Sequence, residues 1–308
     1  MRKGGRICYA IAQEDRYHSI FGATNVGSTP CSSDCPDNID IPSYMDKVRG
    51  GDMTGAAEIL LNFNPIPAIT GRVCPHFCEK ECNRGGFDEA ISIRSVERVL
   101  GDYVLDNAAE FIKAPKANAK KIGVVGSGPA GLSAAYYLMK AGYSVTVFDR
   151  MEEAGGVLTY GIPTYRLPKA VVKKQVKVFE DAGIKFQLKT TLGKDTTVDK
   201  LAKSFDAVFI ACGAWKERAA GVKGEEAMAS GLEFLEKVNK GVKEVPGKKV
   251  AVIGGGNVAI DVARTLLRLG AEPVIIYRRT EAEMPAVREE IERAKEEKIK
   301  IEFLTLPT

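Results

Sequence analysis

The sequence predicts an α/β fold preceded by a helical amino-terminal domain. Two stretches, beginning near Ile122 and Val250, each show a strand, a glycine-rich turn, a helix and a second strand in succession. A cysteine-rich segment with short helical patterns precedes both. Repeated strand–helix–strand units are typical of a parallel sheet with helices packed on its faces.

Length and composition limit the classes of protein to consider. A chain of 308 residues with 45% apolar and 27% charged residues predicts two or three globular domains. A net charge of +4, with Lys and Arg scattered along the chain, argues against a nucleic-acid partner. No apolar run approaches the roughly 18 residues of a membrane span, and residues 1–20 lack a signal-peptide core. We therefore expect a cytoplasmic protein without membrane insertion.

The amino-terminal third shows short helical patterns. Pro42 follows Asp40 at a plausible helix start, and a break at Gly50-Gly51 separates two short helices. A turn is predicted at residues 64–67, and residues 91–112 have the periodicity of one amphipathic helix. Residues 113–120, with mixed Ala and Lys, are predicted to be a linker.

Five of the seven cysteines lie within 52 residues, between positions 31 and 82. They follow the spacings C-x3-C-P and C-P-x2-C-x3-C, at Cys31, Cys35, Cys74, Cys78 and Cys82. In a cytosolic chain such cysteines indicate metal or redox chemistry rather than disulfides. The spacing suits iron–sulfur ligation, in which separated loops wrap one cluster. A structural zinc site, which usually uses C-x2-C knuckles, and unliganded thiols are the alternatives.

The first strand–helix–strand unit carries a dinucleotide-binding fingerprint. Ile122–Val125 has the pattern of a buried parallel strand, Gly126–Gly131 (GSGPAG) follows, and the strand Ser144–Phe148 ends on Asp149. The three glycines would give the tight turn, the approach to a pyrophosphate and the close packing of helix on strand. Asp149 is placed to accept hydrogen bonds from a ribose. The alternative is a glycine-rich turn in an unrelated α/β protein.

A glycine- and proline-rich loop follows from Gly155-Gly156 to residue 169. A helix is predicted at residues 170–182, a strand at 184–188, and a buried strand at 205–214. These elements would extend the sheet that the first unit begins.

The second unit has the same pattern without the acid. It consists of the strand Val250–Ile253, the turn Gly254–Ala259 (GGGNVA), a helix to Gly270 and the strand Pro273–Tyr277. Arg278 and Arg279 follow that strand. A helix from Pro285 and a last strand at residues 299–304 complete one βαβαβ half. Paired arginines can bind a 2′-phosphate bidentately, which favours NADP(H). If the arginines are only a solvated strand end, NAD(H) would fit as well.

Two nucleotide units and a cysteine cluster in one chain favour a flavin enzyme. A flavin accepts two electrons from a nicotinamide and can release them singly, so a one-electron acceptor is the expected next component. Further short motifs accompany the glycine loops and cysteines, namely Cys35-Pro, Ile39-x-Ile-Pro, Gly71-Arg-Val-Cys74-Pro, Tyr160-Gly-Ile-Pro, Arg166-Leu-Pro-Lys and Met284-Pro285. Together they resemble the small (β) subunit of glutamate synthase over residues 31–308. NADPH-dependent ferredoxin oxidoreductase subunits and the amino-terminal half of dihydropyrimidine dehydrogenase share these features.

The resemblance implies where three cofactors bind. FAD would lie on Val125, Gly126, Gly128, Pro129, Ala130, Gly131, Asp149, Arg150, Gly155, Gly156, Arg166 and Leu192. NADP(H) or NAD(H) would lie on Gly254, Gly255, Gly256, Asn257, Val258, Ala259, Arg278 and Arg279. One [4Fe–4S] cluster would be held by Cys35, Cys74, Cys78 and, from the following helix, Glu97. The alternative for Glu97 is a surface carboxylate on an amphipathic helix.

Two departures from the resemblance affect what we expect. Cys31 and Cys82 match the last two ligands of a second family cluster, but Ala23 and Val26 stand at the first two positions. We therefore expect Cys31 and Cys82 to be remnants or alternative metal ligands, with Cys8 as a further candidate. The family's Gly-Asp motif, which approaches the flavin, does not follow the second unit, so we expect a longer product or a partner chain to complete the FAD domain.

The predicted fold class is α/β with a helical N-terminal iron–sulfur domain and two Rossmann-like dinucleotide-binding units, the second incomplete. Its domains would be residues 1–118 (iron–sulfur), 119–245 (FAD) and 246–308 (NAD(P)H). The leading hypothesis is a flavin-dependent oxidoreductase subunit that passes electrons from NAD(P)H to another redox protein or catalytic subunit in a hetero-oligomer. No side-chain acid or base is expected. The alternatives are a non-catalytic docking or electron-transfer subunit and a zinc-stabilised nucleotide sensor.

Overall fold

The computed structural model describes residues 29–116, 118–216, 221 and 224–306, together with the backbone of residues 6–9. Three positions discussed for the second cluster lie outside this description. They are Ala23 and Val26, at its first two ligand positions, and the side chain of Cys8, the further candidate ligand. The chain forms two compact units, one of Met1–Leu158 with Arg166–Gly213 and one of Thr159–Tyr165 with Ala214–Thr308. No helix in the described ranges is both long and apolar enough to cross a membrane.

The first unit combines a parallel sheet with a group of short helices between residues 30 and 111, which we call the helical layer. The strands up to residue 213 are β1 Arg6–Tyr9, β2 Lys121–Val125, β3 Ser144–Phe148, β4 Lys185–Gln187 and β5 Ala207–Ile210. The helices in the same stretch of chain are α1 Pro30–Ser33, α2 Ile41–Arg49, α3 Met53–Phe63, α4 Pro67–Val73, α5 Phe77–Lys80, α6 Ile93–Asp106, α7 Ala108–Phe111, α8 Pro129–Lys140, α9 Val157–Tyr160, α10 Lys169–Asp181 and α11 Val198–Ser204, with a 3₁₀ turn at Asn83–Gly86.

The sheet of the first unit has the strand order β1-β5-β2-β3-β4, and every pair is parallel. Four of the five residues of β2 are buried, as its apolar run predicts. Because parallel strands end at one edge, Gly126 after β2 and Asp149 after β3 come together there. The predicted strand, helix and second strand of this unit are confirmed.

The second unit contains a three-stranded parallel sheet in the order β6-β7-β8. Its elements are α12 Gly231–Asn239, β6 Lys249–Ile253, α13 Asn257–Arg268, β7 Glu272–Ile276, α14 Arg288–Glu296 and β8 Lys300–Glu302, with 3₁₀ turns at Glu225–Ala227 and Glu281–Glu283. Ile260, Leu266 and Ile275 are almost completely buried in its core. The βαβαβ half predicted from the sequence is confirmed.

Three helices differ from the sequence prediction. The single helix expected at residues 91–112 is broken at Asn107, whose side-chain amide donates to the Tyr103 carbonyl at 2.9 Å and ends α6. The turn at residues 64–67 leads into an unpredicted helix, α4, which begins at Pro67. The helix expected from Pro285 starts later, because the Ala286 N–H donates to the Gly255 carbonyl at 3.2 Å and holds that segment extended.

The predicted boundaries after residues 118 and 245 stay predictions. Contacts group residues 214–245 with the second unit, because Leu235 of α12 belongs to its apolar core. At the other end of the chain, Arg6–Tyr9 pairs with Ala207–Ile210 and so belongs to the sheet rather than to the helical layer.

An ion-pair network connects α13 to the end of α14 in the second unit. A carboxylate oxygen of Glu297 lies 2.8 Å from Arg264 Nη2 and 2.7 Å from Arg268 Nη2. The Arg264 side chain is 7% exposed, so this pair is largely shielded from solvent. The hydrogen bond from Arg268, helped by Arg264, lowers the pKa of Glu297 to about 2.

We expect Glu297 to make the stability of the second unit dependent on acid pH. Because its folded pKa is below its usual 4.5, the stabilisation is complete above that value and is lost as pH falls towards about 2. Partial exposure of Arg268 limits the effect to on the order of 1 kcal/mol. Urea unfolding between about pH 7 and pH 3 should show this slope in the wild type and a reduced slope in Glu297→Gln. Glu296→Gln, on an exposed neighbour, is the matched control, and equal slopes in all three proteins would contradict the prediction.

Candidate functional site

Helices α4 and α6 pack with their backbones almost touching. A Cβ atom at Gly101 would lie 2.1 Å from the backbone nitrogen of Ala68, and one at Gly71 would lie 2.5 Å from the Arg98 Cα. Only glycine permits this approach. The packing places Cys74, which follows α4, beside α6.

Three predicted thiol ligands gather next to this contact. Cys78 is buried in an apolar cluster against which Cys35 also packs. Burial, with a smaller contribution from Cys35, raises the pKa of Cys74 to about 11 and that of Cys78 to about 12. Cys35 and Cys78 thus share one buried cluster, and Cys74 lies four residues before Cys78 in the chain. Among the described residues no three His, Cys, Asp or Glu side chains meet the geometry for a single metal ion. Thiols from separated loops are the donor set that an iron–sulfur cluster uses.

Glu97 faces the same region and is held by two side chains that the sequence did not single out. Its Oε1 accepts hydrogen bonds from Asn64 Nδ2 at 2.5 Å and from Thr70 Oγ1 at 2.6 Å. Asn64 Oδ1 accepts from the Ile66 N–H at 3.1 Å, which fixes the orientation of the amide. Both bonds to Glu97 fall on Oε1, so Oε2 accepts neither of them.

The environment of Glu97 excludes one of the two alternatives for this residue. Glu97 is 7% exposed, so the alternative of a surface carboxylate is wrong. Burial raises the pKa of Glu97 to about 7, against the opposing effect of the Thr70 and Asn64 hydrogen bonds. Its role as a cluster ligand stays a prediction.

Cys31 and Cys82, expected as remnants or alternative ligands, occupy different surroundings. Cys31 packs against the buried cluster that holds Cys78, and its Sγ lies 3.2 Å from Thr29 Oγ1. Cys82 is half-buried, and backbone N–H groups, that of Ile91 first, lower its pKa. Whether either thiol binds metal stays a prediction.

The first glycine loop combines two packed glycines with one open position. Gly126 has a φ of +105°, and a Cβ there would lie 2.1 Å from the Ala211 carbonyl oxygen. A Cβ at Gly131 would lie 1.8 Å from the Gly126 oxygen, whereas one at Gly128 would meet nothing within 4 Å. The open position stands at the start of α8, where helix N–H groups and the helix dipole favour an anion. A pyrophosphate is the kind of anion that such a position would accept.

Asp149, expected to contact a ribose, is buried at the end of β3. Its Oδ2 accepts from the Ser127 backbone N–H at 2.7 Å and the Ser127 hydroxyl at 2.6 Å, and its Oδ1 accepts from the Met151 N–H at 2.9 Å. The Gly155 N–H in turn donates to the Ser127 carbonyl at 3.0 Å. Ser127 therefore ties the acid to the glycine loop and to Gly155, while Asp149 Oδ1 can still accept another hydrogen bond.

The other predicted FAD residues lie around this loop or farther along the chain. Gly156 has a φ of +53°, and a Cβ there would lie 2.9 Å from the Gly128 Cα. Leu192 packs in an apolar cluster with Val125. In the remaining positions, Pro129 and Ala130 begin α8, Arg150 is exposed after β3, and Arg166 is half-buried.

The second glycine loop has the same open position with a different neighbour. Gly254 has a φ of +127°, and a Cβ at Gly255 would lie 2.6 Å from the ring of Tyr277. That ring takes the position expected for the acid, and its hydroxyl donates to the Glu283 carbonyl at 2.7 Å. A Cβ at Gly256 would meet nothing within 4 Å, so the start of α13 has room for a second pyrophosphate.

The paired arginines follow β7 and are exposed. Arg279 Nε lies 3.9 Å from Glu283 Oε1, a long contact between half-exposed side chains that costs little to break. Arg278 and Arg279 can therefore turn towards a phosphate. The other predicted residues, Asn257, Val258 and Ala259, form the first turn of α13.

Residues 120–307 match the family model of pyridine nucleotide-disulphide oxidoreductases. The chain belongs to this family. Residues 23–109 match a second model, described as dihydropyrimidine dehydrogenase domain II, 4Fe-4S cluster. Membership confirms the predicted fold class, the oxidoreductase assignment and the expected cofactors FAD, NAD(P) and [4Fe–4S]. The individual contact residues remain predictions.

Relatives of this chain include proteins that are named as a subunit or a small chain. The chain is 38% identical to the NADPH-Fe(3+) oxidoreductase subunit beta of Geobacter sulfurreducens, covering 91% of this chain and 43% of that protein. It is 35% identical to the glutamate synthase [NADPH] small chain of Escherichia coli, covering 97% and 66%. Among solved structures, FprA, an oxidoreductase of Mycobacterium tuberculosis, matches with a TM-score of 0.51 at 25% identity, covering 58% and 48%. The chain thus spans less than half of the Geobacter relative.

Proposed function

We propose that the chain is the electron-input part of a larger redox assembly. It would oxidise NAD(P)H and deliver the electrons to another redox protein or catalytic subunit. Bound FAD supplies the exchange between paired and single electrons, and a bound [4Fe–4S] cluster supplies one-electron transfer. The observation that carries this proposal is the combination of two open glycine loops with a group of three thiols and a buried carboxyl.

The two glycine loops would have different ligands. Gly126–Gly131 would bind the pyrophosphate of FAD, and Asp149, held by Ser127, would bind its ribose. Gly254–Ala259 would bind the pyrophosphate of the nicotinamide nucleotide. The exposed Arg278 and Arg279, with no acid beside the loop, favour NADP(H) over NAD(H).

The helical layer would provide the exit for electrons. Cys35, Cys74, Cys78 and Glu97 are the donors that would hold the cluster. Burial raises the pKa of these thiols and of Glu97, so binding of the cluster would release protons from them. Positioning of the bound groups is the main contribution of the chain, since hydride transfer to flavin needs no side-chain acid or base.

The partner is proposed to be a redox protein in a cytoplasmic hetero-oligomer. The support is that the relatives bear the names subunit beta and small chain, and that this chain spans 43% of the first of them.

Cofactor analysis of anaerobically purified protein, with any chain that accompanies it, tests the proposal. We expect FAD, iron and sulfide in the proportions of one [4Fe–4S] cluster, and reduction of an artificial dye faster with NADPH than with NADH. Cys74→Ser should lose iron and keep flavin, whereas Cys212→Ser, an exposed thiol, should keep both. Absence of both flavin and iron would overturn the proposal. Iron without flavin or dye reduction would favour a docking subunit, and zinc without visible absorbance would favour a nucleotide sensor.

A further inference from the structure

Tyr44 lies inside the helical layer with a hydroxyl group that has no partner. Its side chain is 0% exposed, and its oxygen forms no hydrogen bond with any described residue. Buried polar groups in folded proteins are nearly always hydrogen-bonded, because burying a hydrogen-bond donor without an acceptor costs free energy. The Tyr44 hydroxyl is therefore available to a partner other than the described residues.

The groups around Tyr44 are the proposed cluster ligands. Tyr44 belongs to the buried apolar cluster that contains Cys78, and Cys31 and Cys35 pack against the same cluster. Burial raises the pKa of Tyr44, and the charges of Glu97, Cys78, Cys35 and Cys31 raise it further. A phenolic hydroxyl carries its proton at neutral pH and can donate one hydrogen bond.

The position of Tyr44 is set by its helix and not by its hydroxyl group. Asp40 caps α2 by accepting the Ser43 N–H at 3.3 Å. Ile41 and Tyr44, three residues apart on one face of α2, are its buried side chains. Helix capping and apolar packing would hold the ring in place even if the hydroxyl were absent.

We propose that Tyr44 donates a hydrogen bond to a sulfur of the [4Fe–4S] cluster, either an inorganic sulfide or a ligand thiolate. The inference rests on the proposed function, because it requires the cluster. Hydrogen bonds to cluster sulfurs are among the features that set the reduction potential. The reduced cluster carries one more negative charge, so a donated hydrogen stabilises it more than the oxidised cluster. Tyr44 therefore raises the potential.

Replacement of Tyr44 by phenylalanine removes the hydroxyl and keeps the ring. We expect Tyr44→Phe to bind the same amount of iron as the wild type and to show a more negative midpoint potential in a redox titration followed by electron paramagnetic resonance. Tyr136→Phe is the matched control. Tyr136 is 1% exposed and its hydroxyl likewise bonds to no described residue, but its ring packs on Phe179 at 5.6 Å and no cysteine affects its pKa. Its removal should leave the potential unchanged.

A second measurement separates a direct hydrogen bond from a packing effect. After exchange into D₂O, the Fe–S stretching bands of the wild type should shift, and this shift should be smaller in Tyr44→Phe. Equal potentials and equal isotope shifts in the two proteins overturn the proposal. If Tyr44→Phe binds no iron, 3-fluorotyrosine at position 44, a stronger hydrogen-bond donor, decides: a more positive potential supports the proposal and an unchanged potential overturns it. Absence of iron from the wild type itself would instead overturn the proposed function.

Discussion

Replacement of Gly128 by alanine is expected to remove tight FAD binding and leave the fold intact. Gly128 has a φ of −70° and a ψ of −175°, which alanine adopts without strain, and its new methyl group would meet no protein atom within 4 Å. The methyl group would instead occupy the space at the start of α8 that the pyrophosphate needs. We expect FAD affinity to fall at least about tenfold, which corresponds to about 1.4 kcal/mol.

The second glycine loop offers a matched variant for this experiment. Gly256 has a φ of −87° and a ψ of 175°, and a Cβ there also meets nothing within 4 Å. Gly256→Ala should weaken NAD(P)H binding by a similar factor and retain FAD. Absorbance measures flavin content, and calorimetry measures nicotinamide affinity. Gly128→Ala should lower the first and keep the second, and Gly256→Ala should keep the first and lower the second. Wild-type flavin affinity in Gly128→Ala, or loss of both ligands in both variants, would contradict the assignment of the loops.

Sequence patterns predicted the nucleotide-binding elements closely, because those elements depend on local signals. The apolar run before Gly126 and the helical pattern after it are adjacent in the chain. In the structure these patterns form β2 and α8, and β3 comes next. Helix α4 was missed because its seven residues from Pro67 to Val73 are too few to show a period, and it is held by packing against α6.

The candidate site was predictable only where residue type alone carries the chemistry. Cysteine spacing and the resemblance indicated the thiol ligands and Glu97, and in the structure Cys35 packs against the buried cluster that contains Cys78. Asn64 was missed because its bond to Glu97 joins residues 33 positions apart. Tyr44 was missed because an apolar helix face predicts a buried ring and says nothing of whether its hydroxyl finds a partner. Such contacts arise from tertiary packing.

Replacement of Gly101 by alanine should damage both the stability of the helical layer and its capacity for iron. The added Cβ would lie 2.1 Å from the Ala68 nitrogen and 2.4 Å from the Pro67 carbonyl carbon. Both are backbone atoms, so α4 and α6 must separate to accept it. Overpacking of this kind costs roughly 1–3 kcal/mol. Separation also withdraws Glu97 on α6 from Thr70 on α4, whose hydrogen bond at 2.6 Å orients the carboxylate.

Gly50→Ala is the control for the Gly101 variant, because it adds the same methyl group in the same helical layer. Its Cβ would lie 3.5 Å from the nearest atoms, and the residue has a φ of −78°, so stability and iron content should stay at wild-type levels. Denaturant unfolding followed by circular dichroism measures the first effect, and iron content after anaerobic reconstitution measures the second. A Gly101→Ala protein with wild-type stability would refute the close approach of the helices. Lower stability with wild-type iron content would show instead that cluster assembly tolerates a displaced Glu97.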